Sequence, residues 1–182
     1  MTIDTSLTSY IIGAIALVAV VLMIVAAVRA AQSRKLVQRF GPEYERTVGY
    51  YGDRVAAERD LSAREARVRR FHIEELPSGA RAQYVEEWRT VQTRFVDEPR
   101  AAIAHADRLV TSVMRDRGYP MGSFEQRAAD LSPDHPQVIE DYRLAHDIAR
   151  RNEQGQVPTE ELREAMVHYR TLFTDLVDAP DR

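Results

Sequence analysis

Hydrophobic positions along this chain follow two different patterns. From Ile11 to Val28 (IIGAIALVAVVLMIVAAV) there are 18 consecutive residues without a charge. At a helical rise of ~1.5 Å per residue the run spans roughly 27 Å, about the hydrocarbon thickness of a bilayer. A core helix in so small a chain would show one polar face, and this run has none. The pattern predicts a transmembrane helix over residues 10–31, with Tyr10 at the membrane interface. A cleaved signal peptide is the competing assignment. It would carry Lys or Arg ahead of the apolar stretch. Here MTIDTSLTS carries Asp4 and no base, while Arg29, Arg34, Lys35 and Arg39 follow the run. An uncleaved anchor is therefore favoured, with the N-terminus outside and the remainder in the cytoplasm.

Beyond residue 31 the apolar spacing is that of helices, and no alternating strand pattern occurs. Gly41-Pro42 opens a helix expected to run to about Arg70, with Tyr44, Val48, Tyr51 and Val55 on one face. Gly49 and Gly52 weaken it by about 1 kcal/mol each relative to Ala. Its half from Arg59 to Arg70 holds few large apolar residues and reads as a solvent-facing extension. Pro77-Ser78-Gly79 marks the next boundary. Tyr84, Trp88, Val91 and Phe95 then form an aromatic stripe. Asp97 is placed as the N-cap of a helix carrying Ala102, Ala106, Leu109 and Val113, stopped by Gly118. Ser123 caps a short segment, Phe124 to Leu131. Ser132-Pro133 is expected to open a helix containing Val138, Tyr142, Ala145 and Ala149. Thr159 caps the last helix, with Leu162, Met166, Tyr169, Leu172, Phe173 and Leu176 along its apolar side.

The expected fold is all-α: an N-terminal transmembrane helix followed by a five- or six-helix antiparallel bundle. The divisions are a short extracytoplasmic N-terminus (1–9), the membrane helix (10–31), a juxtamembrane helix and extension (32–76), the bundle (77–178) and a tail (179–182). Average composition, 45% hydrophobic with net charge −3, hides a split in charge. Residues 1–39 carry +3 and residues 40–182 carry −6. An acidic domain without a basic stripe argues against nucleic acid as a partner. The cluster Arg64, Arg67, Arg69, Arg70, interleaved with Glu58, Asp60 and Glu65, reads as a salt-bridged solvated face, with a membrane-surface or partner-docking patch as the lesser alternative. Zero cysteines exclude disulfides, thiol nucleophiles and cysteine-ligated zinc.

Chemistry-bearing motifs are sparse. No phosphate-binding loop, dinucleotide fingerprint, HExxH, nucleophile elbow or calcium loop occurs. His105, His146 and His168 lie near the apolar side of three different helices and could converge on a metal with Asp107 or Asp147. Core or capping histidines are the commoner outcome, so no metal or cofactor is assigned. Adjacent acids such as Glu74-Glu75, Glu86-Glu87 and Glu140-Asp141 point about 100° apart on a helix and make no dyad. Glu164 to His168 is one residue too long for a di-iron Glu-x-x-His. The most unusual stretch is Arg115 to Pro136. It is read as a structured connection whose Tyr119 and Phe124 plug the bundle end, or as a recognition loop. In the second case Arg115, Arg117, Tyr119, Phe124 and His135 are the candidate interaction residues.

Several segments together resemble a bacterial family of single-pass membrane proteins with an Arg/Ala-rich helical domain and no assigned function. They are Arg39–Tyr44 (RFGPEY), Trp88 with Arg94–Asp97 (RFVD), Arg117–Pro120 (RGYP), Phe124–Ser132 (FEQRAADLS) and His168–Arg170 (HYR). The resemblance covers residues 34–174. It implies a bacterial membrane location, gives weight to Gly118–Asp130 and supplies no activity; with the cytoplasmic placement of the domain, the expected site is the inner membrane. The expectation is a non-enzymatic, membrane-tethered interaction domain on the cytoplasmic face, whose partners are the lipid bilayer and another protein. Self-association is a weaker option, because Gly13-x-x-Ala16 lacks small-xxx-small spacing. The alternative is a small-ligand or metal sensor binding within the bundle.

Overall fold

The structure is a computed structural model that describes residues 5–155 and 157–179, with side chains from residue 12 onward. Among the described residues it is all-helical. The elements are α1 (Thr5–Phe40), α2 (Pro42–Tyr51), α3 (Arg54–Val68), α4 (Ser78–Asp97), α5 (Pro99–Asp116), α6 (Phe124–Leu131), α7 (Ile139–Glu153) and α8 (Thr159–Asp178). They divide into two compact units, residues 1–39 and 40–182.

The first unit is α1. Within Ile12–Phe40 an 18-residue stretch of mean hydropathy 2.7 has none of its residues buried. The helix is long and apolar enough to cross a membrane. The apolar side chains from Ile12 to Val28 meet no protein cover in the structure.

The second unit is built around α5, which packs against α4, α7 and α8. Its apolar residues recur at helical spacing, so one broad face buries Ala102, Ile103, Ala106, Leu109, Val110, Val113 and Met114. The aromatic stripe of α4 arrives as expected. Trp88 and Val91 are buried, Tyr84 and Phe95 are partly so, and Trp88 stacks on Phe173 of α8 with ring centroids 4.8 Å apart. On the other side α2 packs on α3, α3 on α6 and α6 on α7.

Among the described residues seven helices follow α1, close to the expected five or six, and the added one has a local cause. The single helix expected from Pro42 to Arg70 is broken after Tyr51. Gly52 adopts φ 64°, a left-handed conformation suited to glycine, and closes α2. Asp53 then caps α3, its carboxylate accepting from the amides of Val55 and Ala56. The break turns the stripe out of register, so Tyr44 is buried while Tyr51 and Val55 are exposed. The stretch from Arg59 to Arg70, expected to face solvent, buries Leu61 and Val68. The helices between residues 42 and 68 belong to the same compact unit as the bundle.

Two further boundaries move. Asp97 ends α4, and the kink falls at Glu98, whose extended backbone precedes Pro99 at the start of α5. Ser132-Pro133 opens turns, and α7 begins only at Ile139. Ser123 does cap α6, accepting from the Gln126 amide.

Candidate functional site

The most unusual polar feature of the domain is a buried carboxylate. Glu43 lies in the first turn of α2, a position where an acid normally faces solvent beside the positive helix end. Here it is 2% exposed. Arg64 of α3 and Arg143 of α7 donate to the same oxygen, Oε1, at 2.8 and 2.9 Å. Oε2 is buried without a hydrogen bond. Arg64 also reaches Asp60 at 2.7 Å, and Arg143 reaches Glu125 at 3.1 Å. A buried charge persists only when paired and hydrogen-bonded. The acid and its two arginines thus clasp three helices. A second clasp lies nearby: Asp130 of α6, almost fully buried, accepts from Arg67 of α3 at 2.7 Å and from Gln126 at 3.0 Å.

Two clefts open beside the first clasp. One, of about 590 Å³, is lined by Glu43, Arg46, Thr47, Tyr50, Arg64, Glu125 and Arg143. The other, of about 510 Å³, shares Arg46, Glu125 and Arg143 and adds Ser123, Phe124, His146, Asp147 and Arg150. Arg46 contacts carboxylates only at ion-pair range, Glu43 at 3.9 Å and Glu140 at 3.7 Å. Both distances exceed hydrogen-bond length.

His146 lines the second cleft. Phe124 stacks on its ring, centroids 3.7 Å apart and planes within 8°. Its Nδ1 lies 3.3 Å from Asp107 of α5, whose same oxygen accepts from the Tyr169 hydroxyl at 2.7 Å. A carboxylate only accepts, so the Nδ1 atom carries the proton in this pair. Burial pushes Asp107 up, but the hydrogen bonds from His146 and Tyr169 outweigh it and hold the acid below the usual carboxylate value. Tyr142 beside them accepts from Arg127 at 3.1 Å.

The tyrosines shift the other way, with a consequence for stability. Burial raises Tyr142, and burial together with Asp107 raises Tyr169 well above its ordinary value. Burial and the Asp116 carboxylate raise Tyr84. In the unfolded chain these phenols ionise near ~10, so above that pH the unfolded state releases protons that the folded state retains. Their contribution is complete below pH ~10 and is lost as pH rises. The urea midpoint should therefore fall steeply above about pH 10, and Tyr169→Phe should flatten that fall. An equal slope in wild type and variant would contradict it.

The five candidate interaction residues separate by burial. Arg115 is exposed and Phe124 is partly buried at the cleft. Arg117, Tyr119 and His135 are buried. Arg117 donates to the Leu176 carbonyl at 2.6 Å, and Tyr119 meets His135 Nε2 at 3.0 Å, while His135 Nδ1 pairs with Asp175. Those three side chains tie the connection to α8 and do not face solvent.

The three histidines considered for a metal are brought to three different acids. His105 meets Glu87 at 2.9 Å, His146 meets Asp107 and His168 meets Asp141 at 2.5 Å. Among the described residues no group of three or more metal-ligating side chains converges. Glu43, Arg46 and Arg143 are not singled out by the sequence, and Arg64 stands there only in a basic cluster. Their pairing spans up to 100 positions, which no local spacing reveals. No family model, curated protein or solved structure matches this chain.

Proposed function

We propose that this is a single-pass protein of the bacterial inner membrane, with its N-terminus outside and its helical domain a protein-interaction module in the cytoplasm. The observation that supports it is the wholly exposed apolar stretch of α1, followed by Arg29, Arg34, Lys35 and Arg39. Apolar side chains over such a length are stable in hydrocarbon and costly in water. The basic collar marks the cytoplasmic flank. The bacterial assignment rests on the family resemblance of residues 34–174.

The test is a pair of C-terminal reporters in bacteria. A fluorescent protein that matures only in the cytoplasm should be bright, and an alkaline phosphatase fusion inactive. An active phosphatase fusion would reverse the topology. A second reading, a small-ligand sensor, is favoured by the two clefts beside the Glu43 clasp. The clefts offer it charged and polar binding groups.

A further inference from the structure

We infer that the 510 Å³ cleft between α2, α6 and α7 binds a small phosphate-type oxyanion, either free phosphate or the phosphoryl end of a larger molecule. This rests on the ligand-sensor reading above and not on the membrane tether.

Local charge is the first argument. Of the three arginines lining the cleft, Arg143 is paired with Glu43 and Glu125 and Arg150 with Asp147, which leaves Arg46 as the guanidinium with no hydrogen-bonded acid. Donor supply is the second. Arg143 is a fixed cation, 12% exposed and held by Glu43 and Glu125. Arg46 is half exposed, and its carboxylate contacts at 3.7 and 3.9 Å spend none of its five N–H donors in a true hydrogen bond. A free guanidinium fork matches an oxyanion in bidentate geometry, which an ammonium would not. One further element contributes. Ser123 brings its hydroxyl at the capped start of α6, where the helix dipole is positive. His146 keeps its proton on Nδ1 against Asp107, which leaves Nε2 an acceptor and no donor to the ion. Donors arriving from three elements suit a tetrahedral ion better than a planar carboxylate.

The experiment uses the full chain in nanodiscs of phosphatidylcholine, titrated with inorganic phosphate in chloride buffer by calorimetry. Saturable binding is expected with Kd on the order of 1 mM or tighter. Arg46→Gln should weaken it roughly ten-fold or more. The variant should retain its thermal midpoint, because Arg46 is half exposed and makes no hydrogen bond. Arg89→Gln, on an exposed arginine paired only with Glu86, should bind as wild type does. Absence of saturable binding, or equal affinity in Arg46→Gln, overturns the assignment. A second arm replaces part of the lipid with phosphatidic acid. Loss of phosphate binding there assigns the site to a lipid headgroup, and unchanged binding assigns it to a soluble phosphoryl compound. Thermal shifts with a panel of neutral and cationic small molecules separate the two levels. Shifts there without phosphate binding remove the oxyanion and keep the sensor, and silence in both removes both.

Discussion

Glu43→Leu should destabilise the helical domain by about 3 kcal/mol, the low end of the range for breaking a buried ion pair. Both arginines lose the acceptor they share at 2.8 and 2.9 Å. Neither is left without a counter-charge, since Arg64 keeps Asp60 and Arg143 keeps Glu125. That is why the low end applies. The pair is a specificity device more than a source of stability, because desolvating three charges costs several kcal/mol before any is recovered. The triple replacement Glu43→Leu, Arg64→Met, Arg143→Met should accordingly recover most of the loss. Trp88, the only tryptophan, reports the transition by fluorescence from the α4–α8 contact. A single variant within ~1 kcal/mol of wild type would show that the clasp does not hold the three helices together.

The contrast between this clasp and the α5 core explains what was legible in the sequence. Ala102, Ala106, Leu109 and Val113 form a face because helical periodicity is local, and that face is buried as the spacing requires. Trp88 and Val91 obey the same rule. Glu43 does not, since its place at a helix start follows a capping preference that tertiary pairing overrides. Arg64 and Arg67 belonged to a run of alternating charges that reads as a solvated face, yet each crosses to a buried acid on another helix. Charge spacing along one helix cannot say which partner lies opposite. The break at Gly52-Asp53 was different, because a left-handed glycine followed by a capping aspartate is a local signal. The apolar stripe through Tyr51 and Val55 runs across that signal and hides it.

Gly118 combines a legible role with a hidden one, and Gly118→Ala should cost roughly 3 kcal/mol. Its legible role is the end of α5. The Gly118 amide bonds the Arg115 carbonyl and the Tyr119 amide bonds Met114, the paired closure that needs a left-handed residue after the helix. At φ 93° an alanine there pays about 1–2 kcal/mol in backbone strain. The hidden role is contact with a distant segment. A Cβ at this position would lie 2.2 Å from the His72 carbonyl oxygen. Backbone cannot yield as a flexible side chain would, because the Glu74 amide is bonded to the Arg117 carbonyl and Ile73 and Leu76 are buried. Forcing the two strands of chain apart adds an overpacking cost of about 1–3 kcal/mol. Gly49→Ala is the matched control: it lies inside α2 with open space around it, and it should stabilise by about 0.5–1 kcal/mol. Denaturant titration of both variants, followed through Trp88, should move the midpoint in opposite directions. A Gly118→Ala midpoint equal to wild type would mean that the 72–76 segment is not held against the end of α5.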